Sequence, residues 1–586
     1  MVLVTQMKYE ESPSCTQARN KVDVILRMNE LPSRHTNAVS LIAELGSESS
    51  AHGLARIVSS KGTKRRLIWT LLVIIGLAAA TVQFSMLVKK YLQFQVVEVS
   101  EVKDSMPVEF PAITVCNIEP ISLRKVRKLL SLPDAALKKW LEFVYKFKFG
   151  KQSAHLSSIR AFYENLGDEA EYVRHELKDF MLHCRFNKET CGGSNFTTSF
   201  DGNYYSCFTF NRGNSDKILM HSTGPENGLS LIIAVDNDNP PLGTYGVYNI
   251  HSNILHSAGV RVVVHAPNTM PSPVNHGFDV PPGYSSSIGL KAVLHTRLSE
   301  PYGNCSNSIL EGSENYNNTF FTCLQLCKQR KIIEKCGCKS SDLPELPSSH
   351  SVPFCGYIKN WREMVAHPDN YPPNVYLPKL ICEEHVSHEM TTDRSYEVSC
   401  KCVQPCHETT FQKSVSLSYW PLEFYQLNIL QLLYNGTIAQ SQLDEAYTYL
   451  SNITDEESQK EDSTMDKGYS SKEKEQAERA SKLIRQNLLR VNIYLEDLSV
   501  VEFRQMPAYD MADLFADIGG TMGLWMGISV LTIMELVELI IRLIMLLFYT
   551  ETRQMPEKTT LPNGVIQQQQ AERRQFIRHD GLESSV

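Results

Sequence analysis

Residues 518–548, IGGTMGLWMGISVLTIMELVELIIRLIMLLF, constrain this chain more than any other stretch. They are long enough to cross a bilayer, which takes about 20 apolar residues. Yet they carry Glu535, Glu538 and Arg542. Ionisable side chains inside a membrane segment are costly, so they face a bundle interior or a water-filled path. Glu535 and Glu538 stand three residues apart and share one helical face. Gly519, Gly523 and Gly527 recur every four residues, the small-residue spacing that lets membrane helices approach closely. Packing alone would explain the glycines. Glycines, Ser529 and two carboxylates together point to a helix that lines a pore.

A second apolar run, residues 67–88, holds no charge and starts too far from the N-terminus for a cleaved signal peptide. The chain therefore reads as a membrane protein with two spans. Lys61, Lys64, Arg65 and Arg66 precede the first span, and Arg553, Lys558, Arg573, Arg574 and Arg578 follow the second. The positive-inside rule then places both termini in the cytoplasm, although Lys89 and Lys90 weaken the contrast. The intervening loop of about 430 residues lies outside. Cysteine usage agrees, because 14 of the 15 cysteines fall in that loop, where disulfides form, and Cys15 is left alone in the cytosol. Five glycosylation sequons, at Asn195, Asn304, Asn317, Asn435 and Asn452, also fall only there. The net charge of −7 argues against nucleic acid as a partner.

The run Gly519-Gly520-x-x-Gly523-Leu524-x-x-Gly527-Ile528-Ser529-x-Leu531-Thr532-x-x-Glu535 resembles the second-span signature of the epithelial sodium channel/degenerin family. A second motif, Phe110-Pro111-Ala112-Ile113-Thr114-Val115-Cys116-Asn117, is similar to that family's signature after the first span. His52-Gly53, ahead of the basic cluster, resembles its His-Gly gating element. The resemblance runs from His52 to about Glu538 and implies an α+β membrane protein assembled as a trimer, a homotrimer in the simplest case. It implies Gly527, Ile528 and Ser529 as the selectivity constriction, with Glu535 and Glu538 as carboxylate rings below it. Ala516, Asp517 and Gly520 would form the gate, and amiloride-type molecules would block the pore. The implied organisation is a cytoplasmic 1–66, a first span 67–88, an extracellular domain 89–517, a second span and pore 518–548, and a cytoplasmic tail 549–586. The plasma membrane is the implied location.

Within the extracellular domain, residues 120–184 read as helices. Leu137, Trp140, Leu141, Val144 and Phe147 form one stripe, and Val173, Leu177, Phe180 and Cys184 another. The resemblance places them in a helical finger over about 120–210. Leu229–Ile233, Gly259–Val264 and Val491–Leu495 read as strands by alternation and β-branching, and Pro282-Gly283-Tyr284 with Arg297-Leu298-x-x-Pro301-Tyr302-Gly303-x-Cys305 is similar to the family's central palm sheet and its exit. Residues 454–480 are charged and poor in apolar side chains, so they read as an exposed insertion or a partly disordered helix.

Ten cysteines lie between 305 and 406, with gaps of 4 and 2 recurring in mirrored order. That order suggests antiparallel segments bridged like rungs, but spacing cannot assign the pairs. The family's thumb ladder implies Cys305–Cys406, Cys323–Cys402, Cys327–Cys400, Cys336–Cys382 and Cys338–Cys355, leaving Cys116–Cys207 and Cys184–Cys191. Zinc is the weaker reading, because paired zinc cysteines prefer two to four intervening residues and an oxidising compartment favours disulfides. No metal or cofactor is expected. Glu384-His385 is not in the order of a metalloprotease motif, and neither a phosphate loop nor a nucleophile elbow stands out, so no enzyme is indicated.

An ATP-gated trimer would share the two spans and cysteine-rich loop but would leave Gly527-Ile528-Ser529 unexplained. A doubly anchored receptor or ectoenzyme would leave Glu535 and Glu538 unexplained. The tail lacks Pro-Pro-x-Tyr, which separates the chain from the epithelial subunits. The wording around Val108-Glu109-Phe110-Pro111 and the long finger look more like the FMRFamide-type peptide-gated sodium channels than the acid-sensing ones. Proton gating and constitutive activity stay open. The basic cluster before the first span suits anionic lipid, and the terminal Ser584-Ser585-Val586 resembles a PDZ ligand.

Overall fold

A computed structural model describes residues 53–551 except 105–106, most of 123–166, 214–216, 238–256, 309–315, 347–348, 368–377, 435–440 and 461–470. Cys15, His52, the stripe Leu137 to Phe147, Asn435 and the tail with Val586 lie outside the described residues. The chain divides into two compact units, Met1–Gln93 with Tyr509–Val586, and Phe94–Ala508.

The first unit opens with α1 (Leu54–Ser59) and α2 (Thr63–Tyr91). Leu67, Ile68, Leu71, Leu72, Ile74 and Ile75 of α2 are exposed, an apolar surface matched to lipid rather than water.

The second unit is built on β1 (Val96–Asp104), β2 (Val108–Glu109), β3 (Ala112–Asn117), β4 (Met181–Phe186), β5 (Glu189–Thr190), β6 (Phe196–Asp201) and β7 (Tyr205–Phe210). These are followed by β8 (Leu219–Met220), β9 (Leu229–Ala234), β10 (Val260–His265), β11 (Phe278–Val280), β12 (Tyr284–Thr296), β13 (His407–Tyr419) and β14 (Leu488–Pro507). One sheet runs β13-β12-β14-β9-β4-β5 with β1 also paired to β14, and a second runs β11-β10-β3-β7-β6. In the first sheet β12 and β14 are parallel and the other pairs are antiparallel. Along β14, Val491, Ile493 and Leu495 are buried while Asn492 and Tyr494 between them are less so, as strand alternation requires. Phe110, Ile113, Phe208, Leu231, Ile288 and Val491 belong to one core cluster shared by the two sheets. Each such side chain contributes about 1.5–3 kcal/mol on full burial.

Polar groups inside the second sheet are satisfied locally. Thr114 Oγ1 lies 2.8 Å from Thr209 Oγ1 and 2.9 Å from His265 Nε2. His265 Nδ1 lies 3.1 Å from the Ala266 carbonyl, which fixes it as the protonated ring nitrogen. Burial pushes the His265 imidazole down to about 4, because the charged form would be desolvated.

The helical stripe expected through Cys184 does not form. α3 (Asp168–Tyr172) and α4 (Leu177–Phe180) are short, and the chain passes directly into β4, which carries Cys184. β4 pairs with β9, and Cys184 is bonded to Cys191. Phe180 and Cys184 both enter the core, so their four-residue spacing reported burial rather than helix. Strands β5, β6 and β7 likewise occupy the later part of the 120–210 region.

A short α5 (Pro273–His276) precedes β11, and α6 (Phe320–Cys336) starts the cysteine-rich region. Thr319 Oγ1 caps α6 by accepting from Thr322 N at 3.1 Å, and Gly337 ends it at φ 62°, a conformation suited to glycine. α7 (Trp361–Ala366), α8 (Pro378–Thr392) and α9 (Arg394–Ser399) follow. Cys323 and Cys327, one helical turn apart on α6, bond to Cys402 and Cys400, and Cys336 bonds to Cys382 on α8. Cys305–Cys406 and Cys338–Cys355 complete this region, and Cys116–Cys207 joins β3 to β7. α10 (Gln426–Tyr434), α11 (Ser441–Lys460) and α12 (Ser471–Asn487) pack around Leu430, Leu443, Ala480 and Ile484. Asn195, Asn304, Asn317 and Asn452 are exposed.

The first unit resumes with α13 (Met511–Met526) and α14 (Val530–Glu551). The sequence reads as one span over 518–548. The chain instead enters helix seven residues earlier, at Met511, and breaks at Gly527–Ser529, where the two helices meet at a bend of 78°.

Candidate functional site

Both helices that meet at the break are capped, α13 at each end and α14 at its start. At the start of α13, Asp510 Oδ1 accepts from Asp513 N at 2.8 Å and Asp513 Oδ2 accepts from Asp510 N at 3.2 Å. This reciprocal box satisfies two donors that a helix start leaves unpaired. At its end, Gly527 adopts φ 61°, and Ile528 N reaches back to the Met522 carbonyl at 3.3 Å. Gly527 N also donates to the Gly523 carbonyl at 3.0 Å, the single bond of a left-handed helix stop, and a side chain at Gly527 would be strained there.

Ser529 then starts α14. Its Oγ accepts from Thr532 N at 3.4 Å, and Ser529 N donates to Thr532 Oγ1 at 3.1 Å. Thr532 is 5% exposed, so the second helix begins with its first donors occupied. The last turn of α13 leaves carbonyls without helical partners and carries the negative end of the helix dipole. Inside a bilayer, such backbone is tolerated where it lines water or is covered by protein. The Ser529 carbonyl accepts from Ile533 N at 3.1 Å and so belongs to α14, which leaves the carbonyls at the end of α13 as those a cation could meet.

Glu535 and Glu538 are partly buried on α14. Arg542, one turn farther on, donates to Glu538 Oε1 at 2.5 Å. Ala516, Asp517 and Gly520 are exposed on α13. Among the described residues, nothing beyond the backbone of α13 itself lies within 4 Å of where a Cβ would stand on Gly519, Gly520 or Gly523, so this stripe is open there.

The opposite side of α13 is occupied by α2. A Cβ on Gly76 would come 3.2 Å from the Trp525 carbonyl, and the Trp525 indole N–H donates to Gln83 Oε1 at 2.9 Å. Lys90 Nζ lies 4.0 Å from the centre of the Tyr509 ring. Gly76, Gln83 and Lys90 are seven residues apart, so they fall on one face of α2. Sequence reasoning missed this stripe, because hydropathy counts apolar residues and two of the three are polar. Their even spacing was the available signal.

At the other end of α2, Gly53 stands at φ 94° as the residue before α1, and a Cβ there would lie 2.6 Å from Val73 Cγ2. Arg66 donates from Nε to the Ile57 carbonyl at 3.0 Å and from its terminal nitrogen to Val58 at 3.4 Å. It caps the last carbonyls of α1 and holds that helix to α2. Arg66 reads in the sequence as one member of a basic cluster, and nothing in the spacing singles it out.

A family model described as Amiloride-sensitive sodium channel matches residues 45–539. The chain is 58% identical over 552 residues to the FMRFamide-activated amiloride-sensitive sodium channel of Cornu aspersum, covering 91% of this chain and 88% of that one. It is 28% identical over 380 residues to degenerin unc-8 of Caenorhabditis elegans, covering 64% of this chain and 40% of that one. It is 26% identical over 533 residues to human acid-sensing ion channel 2, covering 88% and 89%.

Proposed function

The chain belongs to the amiloride-sensitive sodium channel family, and on that premise we propose that it is a sodium channel of the plasma membrane opened by an extracellular FMRFamide-type peptide and blocked by amiloride. Its family is one of channels, not enzymes. The observation that carries the pore assignment is the capped 78° break at Gly527-Ile528-Ser529 in a mainly apolar span. In this reading the three residues form the narrowest part of the path, with Glu535 and Glu538 on its cytoplasmic side and both termini inside. Two spans cannot enclose a path alone, and the open Gly519, Gly520 and Gly523 stripe supports close approach of identical helices from other copies. Three copies is the number the family resemblance implies.

Peptide gating rests on likeness to the Cornu aspersum channel along nearly the whole chain. The test is current recording from oocytes expressing the full chain. FMRFamide at neutral pH is expected to evoke an amiloride-blocked inward sodium current, and an acid step without peptide is expected to evoke little. Acid-evoked current without a peptide response would favour proton gating instead. Anionic lipid at the Lys61–Arg66 cluster and a PDZ protein at Val586 are further proposals. Equal pull-down of the wild type and a chain lacking Val586 would remove the latter.

A further inference from the structure

Of the three contacts along the α2 face, the rung at Lys90 does more than fill space. Tyr509 is 7% exposed, although it precedes α13 rather than lying within it. Its hydroxyl donates to Asp517 Oδ2 at 2.8 Å, eight residues on and two turns into the helix. The Lys90 ammonium sits 4.0 Å over the same ring. One phenol thus joins a cation on the first span to a carboxylate on the pore helix.

We propose that Lys90, Tyr509 and Asp517 form a clasp that holds the Asp517 carboxylate in place and helps set the balance between shut and open channel. Tyr509 is the positioning residue, acting through Asp517. The proposal rests on the channel reading and goes beyond it by joining the first span to the gate. A hydroxyl donating to a carboxylate is a charge-assisted bond, stronger than one between neutral partners. A cation over the ring face is attracted by the ring's quadrupole, and it withdraws electron density from the phenol, which makes the O–H a better donor. The two contacts therefore reinforce each other.

Asp517 differs in this respect from its neighbours Asp510 and Asp513. Those two occupy each other's backbone donors in the capping box, so their carboxylates are committed to the helix start. Asp517 has no capping duty and lies next to Ala516 on the exposed side of α13. If α13 shifts against α2 on opening, one of the clasp contacts must be lost or remade. A contact present in one state and absent in the other biases their populations by its own free energy. Gly76 and Gln83 contribute to packing on the same face, but neither touches an ionised group of α13.

The test is a double-mutant cycle in oocytes, recording peptide concentration dependence, closing rate after washout and surface level by biotinylation. Tyr509→Phe keeps the ring for Lys90 and removes only the hydroxyl. Tyr509→Phe and Asp517→Asn are each expected to shift the half-maximal peptide concentration about three- to tenfold in the same direction. The double variant should shift no more than the larger single. Lys90→Met should move it the same way by less, with Lys90→Arg close to wild type. Additive shifts, or unchanged gating at normal surface level, would overturn the clasp. Should the wild type pass amiloride-sensitive current on acid or at rest but not with peptide, the same cycle is read on proton concentration or resting current. Failure of peptide gating would then leave the clasp test standing.

Discussion

Replacing Gly53 with Ala imposes two separable penalties on the inner end of the first span. The backbone there has φ 94° and ψ −32°, a conformation that costs an L residue about 1–3 kcal/mol. The added Cβ would stand 2.6 Å from Val73 Cγ2, well inside the roughly 3.5–4.0 Å of an ordinary carbon contact. Overpacking of that kind costs about a further 1–3 kcal/mol. The sum, about 2–6 kcal/mol, opposes the weaker restraint from Arg66, whose two bonds to the Ile57 and Val58 carbonyls contribute about 1 kcal/mol each. Gly53→Ala should therefore release α1 from α2 and reduce the saturating peptide current by more than about tenfold, since 1.4 kcal/mol is a factor of ten. Val73→Ala removes the methyl that the new Cβ would strike but leaves the backbone strain. Gly53→Ala/Val73→Ala should thus recover part of the loss, while Val73→Ala alone stays near wild type. The assay is amiloride-sensitive current normalised to surface biotinylation. Wild-type current from Gly53→Ala, or no recovery in the double variant while Val73→Ala alone is active, would refute the packing argument. Complete recovery would show that the strain at φ 94° contributes nothing.

Ala516→Val and Ala516→Phe should raise resting current or slow closing, because added volume between shut helices costs about 1–3 kcal/mol that a spread state avoids; bulky variants that reach the surface and gate normally would show that the helices do not meet there. Gly527→Ala places a side chain at φ 61°, at about 1–2 kcal/mol, and Ser529→Cys weakens the α14 cap, so both should change the sodium/potassium reversal potential or amiloride block, and unchanged values in both would displace the constriction. Peptide mapping without reductant should find Cys323–Cys402, Cys327–Cys400 and Cys336–Cys382 bonded, and free thiols there would contradict the pairing. His265 is held neutral by burial, at about 4 against 6.5 when free. Its contribution is therefore complete above pH 6.5 and lost as pH falls from 6.5 through 4. Purified wild type should lose stability over that range more steeply than His265→Gln in chemical denaturation, and parallel profiles would refute the assignment.

Much of the fold was legible because different physical signals agreed. The apolar run 67–88, the basic residues before it and the confinement of 14 cysteines to one loop each report a membrane crossing by a different route. Strands such as β10 and β14 announced themselves through β-branching and alternation, which follow from how a pleated sheet buries one face. The Val173–Cys184 stripe failed for the converse reason. Its four-residue spacing is compatible with a helix, but β4 gains a full antiparallel partner in β9, and pairing of that kind overrides local periodicity.

The candidate site was legible in its residues and not in its shape. Gly527 and Ser529 sit within a long, mainly apolar run, and a hydropathy reading joins everything from 518 to 548 into one helix. The signals for a break were nonetheless local: a glycine able to close α13 in a left-handed turn, then Ser529 three residues before Thr532, the spacing of a helix start. They were outweighed because a bilayer ordinarily forbids unpaired backbone, so a continuous helix is the default for any apolar run. That same prohibition gives the break its meaning. A chain that interrupts its helix at membrane depth, and caps each side so that only a short stretch of carbonyls stays open, has backbone there that lipid cannot solvate. Under the proposed channel function, water, ions or other copies of the same helix would do so, and Glu535 and Glu538 a turn or two farther along α14 would favour the cations among them.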